Sequence, residues 1–178
     1  HKQYGRRCGL FFNKKWTSKM KQICDNIFIG NDCDCAHQFN NPEISIIHAC
    51  KTCHQRTLMY RRPLPQDHPN YLILQKDNHL YLNMVDAPIE FMPRFAHPMF
   101  AAAMEFIGNR PVLIHCNQGR SRSASIAMLY MAIQNKIPQS SYADAAREFA
   151  LMYPEFGPGD GIRKYMQNNW DYLIRLKA

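Results

Sequence analysis

One stretch of this sequence places a cysteine, a glycine, an arginine and a serine at offsets that suit nucleophilic chemistry on an oxyanion. An apolar segment ends at His115 and runs into Cys116, Gly119, Arg122 and Ser123. Backbone amides in a short loop between a strand and a helix point inward and bind anions, with help from the helix dipole. The stretch therefore predicts a tetrahedral oxyanion site with a sulfur atom beneath it.

Each side chain in this loop has a physical part to play. The planar guanidinium of Arg122 can bind two phosphate oxygens, and Gly119 allows a tight turn close to the ligand. The same positive surroundings favour thiolate over thiol, so we expect a lowered pKa for Cys116 and a nucleophile competent toward phosphorus. The predicted phosphate-binding residues are Asn117, Gln118, Gly119, Arg120, Ser121 and Arg122.

The pattern His115-Cys116-x5-Arg122-Ser123 resembles the signature of the protein tyrosine phosphatase superfamily, and the Gly-x-Ser-Arg-Ser form beginning at Gly119 is similar to its dual-specificity branch. The resemblance implies that Cys116 is the nucleophile and that Arg122 binds phosphate and stabilises the transition state. It also implies that Ser123 hydrogen-bonds the sulfur and eases its departure from a phosphocysteine. His115 would help to hold the loop and tune the thiol.

The implied reaction also needs an acid that protonates the leaving oxygen and later a base that activates water. Asp86 stands 30 residues before Cys116, where the family places an aspartate on a loop. The resemblance therefore assigns this role to Asp86. The residues alone leave two nearby carboxylates, Glu90 and Asp77, open as alternatives.

The order of elements predicts an α/β fold whose central, largely parallel sheet is flanked by helices, as the resemblance to dual-specificity phosphatases also implies. Apolar runs bounded by turn residues predict strands at 26–29, 44–48, 71–75, 79–84 and 112–114. Helices are expected from Pro98 to Ile107, over 123–135 as a covered central helix, from a cap at Ser141 to Tyr153, and over 162–176.

Positive charge is concentrated at the start of the chain. The formal net charge is +8, and residues 1–21 hold seven basic residues and no acidic one. We predict a basic N-terminal extension over 1–22 and a cysteine-dependent phosphatase domain over 23–178. The favoured interpretation of the extension is a solvated tail or surface helix. The alternative is an arm for anionic lipid, acidic protein or nucleic acid, with Phe11, Phe12 and Trp16 available for packing or membrane contact.

The cysteines indicate a reducing compartment, which we expect to be the cytoplasm, with a membrane-peripheral location as the alternative. Their number, seven, is odd, which argues against a framework of disulfides. No apolar run approaches the roughly 18 residues that cross a bilayer.

Cys33-x-Cys35 and Cys50-x2-Cys53-His54 raise the question of zinc, but the first pair is spaced too closely for the usual knuckle. Ordinary thiols are favoured, and the chemistry needs no metal or organic cofactor. Cys50 resembles in its placement a thiol that some members of the family use to trap an oxidised nucleophile, which makes it a candidate disulfide partner for an oxidised Cys116.

Three functions follow, in order of preference. The first is a dual-specificity phosphatase acting on phosphotyrosine and phosphoserine or phosphothreonine in proteins. The second is a phosphoinositide or phospholipid phosphatase, favoured by Arg120 as a second cation in the loop. The third is a phosphate-binding module without activity. The long, proline-containing segment 51–69 is a candidate pocket wall. Its Arg56, Arg61 and Arg62 are candidates for binding anionic groups beside the phosphate, although a solvated loop is the favoured interpretation.

Overall fold

The computed structural model describes residues 20–177. Within this range six strands and seven helices alternate along the chain. They are β1 (Lys21–Cys24), β2 (Ile27–Gly30), α1 (Asp32–Gln38), β3 (Ser45–His48), α2 (Lys51–Leu58), β4 (Ile73–Lys76), β5 (His79–Leu82), α3 (Pro93–Phe106), β6 (Val112–His115), α4 (Arg122–Ile133), α5 (Tyr142–Met152), α6 (Asp160–Asn168) and α7 (Trp170–Leu173).

The strands form one mixed sheet in the order β1-β2-β6-β3-β5-β4. The four central strands are parallel, and antiparallel strands β1 and β4 close the two edges. This architecture confirms the predicted α/β class with its largely parallel sheet. Because the carboxyl ends of parallel strands meet at one edge, the segments that follow β2, β3, β5 and β6 come together there.

The two faces of the sheet carry different side chains. One face places Ile27, Ile47, Leu80 and Ile114 in the main hydrophobic core, which α3 and α4 complete. Ten of the twelve residues of α4 are buried, as expected for a covered central helix. The opposite face is covered by α1 and α2. Because side chains alternate along a strand, His48 and His115 lie on that second face, as partners in register.

Some sequence-based boundaries were wrong for identifiable reasons. Helix α3 begins at Pro93 rather than Pro98, because Pro93 takes the first helical turn, where a proline costs no hydrogen bond. The helix expected over 162–176 is broken at Asn169 between α6 and α7. Helix α2 forms within the 51–69 segment, for which a solvated loop was favoured, and β1 and α1 were not predicted. A capping box from Asn31 and Asp34 starts α1.

Other boundaries agree with the expectations. Ser141 caps α5 by accepting a hydrogen bond from the Asp144 amide, and the strands at 26–29, 44–48 and 112–114 appear as β2, β3 and β6. The predicted boundary after residue 22 falls inside β1. Residues 1–19, which hold most of the predicted basic extension with Phe11, Phe12 and Trp16, lie outside the described residues. None of the helices described combines the length and apolarity that crossing a membrane requires.

Candidate active site

Cys116 lies at the point where β6 ends and the loop to α4 begins. The residue is only 1% exposed, and its Sγ accepts a hydrogen bond from the Ser123 hydroxyl at 3.2 Å. Burial by itself would raise the pKa of this thiol. The hydroxyl and amide of Ser123, the charge of Arg122 and the amide of Gln118 outweigh that effect and lower the pKa below its usual value. The surroundings therefore favour a thiolate.

Arg122 is 6% exposed and begins α4 directly behind the loop. Its Nη1 donates to the Met84 carbonyl at 3.1 Å, and its Nη2 donates to Asn117 Oδ1 at 2.6 Å. The third guanidinium nitrogen, Nε, is buried and makes no hydrogen bond within the described part of the chain. A buried donor on a charged group is costly when unpaired. This atom is therefore available for a ligand oxygen.

Asp86 comes to the same place from the segment that follows β5. Its Oδ2 lies 3.6 Å from Arg122 Nε, and its side chain is one-third exposed. Gly159 packs directly against it, and a Cβ at that position would overlap Asp86 Oδ1. The Gly159 amide in turn donates to Ser121 Oγ at 2.9 Å, so the segment before α6 is joined to the loop. The arrangement places a partly accessible carboxylate beside the arginine.

The other two candidate acids lie elsewhere. The Glu90 carboxylate is held at the surface, where its Oε1 accepts a hydrogen bond from Asn168 Nδ2 at 3.0 Å. Asp77 stands in the turn between β4 and β5, and therefore at the amino end of β5, away from the edge that carries Cys116. Among the three carboxylates considered, the structure brings Asp86 to the arginine.

The loop is held from outside by contacts that the sequence did not predict. Gly119 has a positive φ of 77°, and a Cβ there would lie 2.9 Å from the Gly30 carbonyl oxygen. The Tyr153 hydroxyl donates to the Gly119 carbonyl at 2.9 Å. No local pattern could have indicated a partner 34 residues away. These contacts fix the loop before any ligand arrives.

The remaining loop residues and His115 occupy different surroundings. Arg120 is exposed and donates from Nε to the Glu155 carbonyl at 3.2 Å. Asn117 also donates from Nδ2 to Asp32 Oδ2 at 3.1 Å, which links the loop to α1. His115 is fully buried under the loop. Arg120 thus contacts the segment before α6, whereas Asn117 orients Arg122.

Cys50, the candidate partner of an oxidised Cys116, is buried at the start of α2. A hydrogen bond with Cys53, together with burial, raises the pKa of the Cys50 thiol, so this group keeps its proton. The cysteines described are all free thiols. The redox role of Cys50 stays a prediction.

A groove of about 300 Å³ opens beside the Asp86 segment. Its lining is mainly apolar and includes Val85, Ile89 and Met92, with Lys51 as a cation at its wall. These three apolar side chains are about half exposed or more. The groove offers a surface for the part of a substrate that extends beyond its phosphate.

Comparison with solved structures identifies the architecture. The chain superposes on DUSP15 with a TM-score of 0.57 and 20% identity, covering 88% of this chain and 92% of that one. Human DUSP28 gives a TM-score of 0.57 and 19% identity, with coverage of 86% and 94%. This chain has the dual-specificity phosphatase fold. The resemblance noted in the sequence is therefore confirmed for the fold.

A curated relative points to the same family. The dual specificity protein phosphatase PHS1 of Arabidopsis thaliana is 23% identical over 169 residues, which is 91% of this chain. The chain spans only 16% of the length of that relative. No protein-family model matches the sequence.

Removing the Tyr153 hydroxyl tests the external support of the loop. The Tyr153→Phe substitution leaves the buried Gly119 carbonyl without its donor, so we expect the free energy of unfolding to fall by about 1–3 kcal/mol. Urea denaturation followed by circular dichroism would measure this. Tyr172→Phe, at a half-exposed tyrosine, is the control and should change stability by less than about 0.5 kcal/mol. If the two substitutions lowered the free energy of unfolding equally, the Tyr153 hydroxyl would not stabilise the loop as described.

Proposed function

We propose that this chain is a cysteine-dependent phosphatase that hydrolyses phosphomonoesters, foremost on phosphoproteins, through a phosphocysteine intermediate. The observation that carries the proposal is the buried Nε of Arg122, which makes no hydrogen bond and lies 3.6 Å from the Asp86 carboxylate, beside a cysteine whose pKa is lowered. The N–H group of Arg122 Nε can bind an oxyanion, and the Cys116 thiolate can attack an electrophile. The site therefore suits a ligand that is both. Inorganic phosphate and phosphomonoesters have that combination.

In the first step the phosphoryl oxygens accept hydrogen bonds from the loop amides and from Arg122. Cys116 Sγ attacks phosphorus, so that an S–P bond forms while the bond from phosphorus to the leaving oxygen breaks. Asp86, which lies 3.6 Å from Arg122 Nε, donates a proton to that oxygen. The products of the step are the free alcohol and a phosphocysteine.

In the second step water attacks phosphorus on the side vacated by the alcohol. Asp86, now a carboxylate, accepts a proton from the water. The S–P bond breaks and its electron pair returns to Cys116, whose thiolate is stabilised by the Ser123 hydroxyl at 3.2 Å. Phosphate leaves, and both side chains regain their starting protonation states.

Phosphoproteins rank above lipids on two observations. The apolar groove beside Asp86 has room for the chain that carries a phosphorylated side chain. The lipid alternative depended on Arg120 as a second phosphate-binding cation, and the Nε of this exposed side chain donates to the Glu155 carbonyl, which holds it toward the segment before α6. An inactive binding module ranks last, because Cys116, Arg122 and Ser123 are all present and in contact with Asp86 or with one another.

Replacing the nucleophile tests the covalent mechanism. We expect Cys116→Ser to lower the turnover of p-nitrophenyl phosphate by on the order of 10⁴-fold or more, because a serine hydroxyl, unlike the cysteine thiol, is not ionised near neutral pH. Acid quenching with labelled substrate should trap phosphate on the unsubstituted protein and none on the variant. Cys24→Ser, at a thiol in β1, is the matched control and should leave the rate unchanged. An undiminished rate in the Cys116→Ser variant would contradict the covalent mechanism.

Replacing the proposed acid tests the role of Asp86. We expect Asp86→Asn to slow hydrolysis of a phosphopeptide by about 10²–10³-fold, since the alcohol leaves unprotonated. The loss should be smaller with p-nitrophenyl phosphate, whose leaving group needs less help. Steady-state rates on the two substrates measure the difference. Glu90→Gln is the control, and the assignment is wrong if it slows the reaction as much as Asp86→Asn.

Substrate class is tested by a panel of phosphotyrosine, phosphothreonine and phosphoserine peptides and short-chain phosphoinositides. We expect kcat/KM to be highest on phosphopeptides, and Arg120→Ala to change the ranking no more than Arg147→Ala on the distant surface of α5. Phosphoinositides hydrolysed about a hundredfold faster than any peptide, a difference of ~2.7 kcal/mol in barrier, would make the lipid alternative correct.

A further inference from the structure

Two cysteines and two histidines from four different elements meet beneath the phosphate loop, on the sheet face covered by α1 and α2. Cys35 comes from α1, His48 from the end of β3, Cys53 from α2 and His115 from the end of β6. One donor atom from each side chain lies within 4.8 Å of all the others. Cys35, His48 and His115 are buried, and Cys53 is half-buried. The four donor atoms therefore surround one common position, where a single ion could contact all of them.

The separations between these donors suit a tetrahedral ion. Cys35 Sγ lies 3.5 Å from His48 Nδ1, which lies 2.8 Å from His115 Nε2. That atom in turn is 3.9 Å from Cys53 Sγ. Zinc bonds of about 2.3 Å to sulfur and 2.0–2.1 Å to nitrogen set tetrahedral ligand atoms about 3.3–3.8 Å apart. The Cys35–His48 separation falls within that range, the His48–His115 separation is shorter, and the His115–Cys53 separation is slightly longer.

We propose that Cys35, His48, Cys53 and His115 bind one zinc ion, which ties α1 and α2 to the sheet directly behind Cys116. Two thiolates and two imidazoles are a common donor set of closed structural zinc sites. The thiolate charges neutralise the ion, so its burial leaves no net charge in the interior. Without an ion, the interior would instead hold a compact group of polar side chains facing one another.

The outer neighbours of both histidines match those of metal ligands. His48 Nε2 lies 2.9 Å from His79 Nδ1, so the ring nitrogen turned away from the proposed ion has a hydrogen-bond partner. His115 Nδ1 is buried without a hydrogen bond and lies 3.7 Å from Asp32 Oδ1. Ligating histidines usually donate their second N–H to a carboxylate, a carbonyl or another acceptor. Asp32 is placed to receive that proton.

This proposal departs from the sequence-based expectation of ordinary thiols and no metal. Each short cysteine motif contributes only one ligand, Cys35 from the first and Cys53 from the second. The histidine of the second motif, His54, is not a member, because its Nε2 lies 2.9 Å from the Asn70 carbonyl. The other two ligands come from strand ends that are distant in sequence and adjacent in the sheet.

Metal content tests the site directly. The full chain, expressed with zinc supplied and then dialysed, should retain about one zinc per molecule by mass spectrometry. The Cys116→Ser chain should retain the same amount, which excludes zinc bound at the nucleophile. The Cys35→Ser/Cys53→Ser double variant should retain almost none, whereas Cys33→Ser, on the same helix as Cys35, should match the unsubstituted chain. Zinc undiminished in the double variant would overturn the proposal.

A second measurement needs no ligand variant and so does not depend on whether one folds. Cobalt(II) added to the metal-free, unsubstituted chain should give thiolate-to-cobalt charge-transfer absorption and the strong visible bands of a tetrahedral ion, and the same spectrum with Cys116→Ser. Asp32→Asn should weaken zinc affinity by about 10–100-fold. A weak spectrum without thiolate bands, or no zinc uptake by the unsubstituted chain, would overturn the proposal independently of any phosphatase activity.

Discussion

A buried guanidinium whose Nε makes no hydrogen bond in the described part of the chain is the constraint on which the candidate site depends. A charged group removed from water costs several kcal/mol unless its hydrogen bonds are replaced. Arg122 Nη1 and Nη2 donate to the Met84 carbonyl and to the Asn117 amide oxygen, whereas Nε lies 3.6 Å from the Asp86 carboxylate and makes no hydrogen bond in the described part of the chain. A tetrahedral oxyanion above Cys116 completes the set. Because only a suitable oxyanion supplies the missing hydrogen bond, the free-energy cost of burying the guanidinium favours that ligand over others.

The rest of the fold keeps this arrangement rigid before a ligand binds. Strand β6 and helix α4, both buried, fix the two ends of the loop. Tyr153 and Gly30 hold its middle, and Gly159 joins it to Asp86 through Ser121. Prearranged donors are more effective than donors that must reorganise during a reaction. In the proposed account, zinc would add a further anchor on the side of α1 and α2.

Sequence predicted the parts of the molecule that are local in the chain. The loop from Cys116 to Ser123 is continuous, so its residue types and offsets could be read directly. The covered helix α4 followed from its apolar composition. Asp86 was identified by its position relative to a family pattern, and physical chemistry alone did not separate it from Glu90 and Asp77.

What sequence missed depends on contacts between distant segments. Tyr153 reaches Gly119 only because α5 packs beside the loop, and no spacing rule encodes that. Helix α3 contains a second proline, Pro98, in its interior, and the expected start at that residue overlooked Pro93, which takes the first helical turn. The spacing of a zinc motif is visible only when its cysteines are close in sequence, whereas the four proposed donors meet through sheet register and helix packing. His48 and His115 become neighbours only when β3 pairs with β6.

A crystal structure of the chain with vanadate would test the central claim most directly. The account predicts vanadium bonded to Cys116 Sγ, equatorial oxygens accepting hydrogen bonds from the loop amides and Arg122 Nε, and the Asp86 carboxylate facing the apical oxygen. Vanadate bound away from the sulfur, or Arg122 Nε turned from the anion toward a protein acceptor, would contradict it.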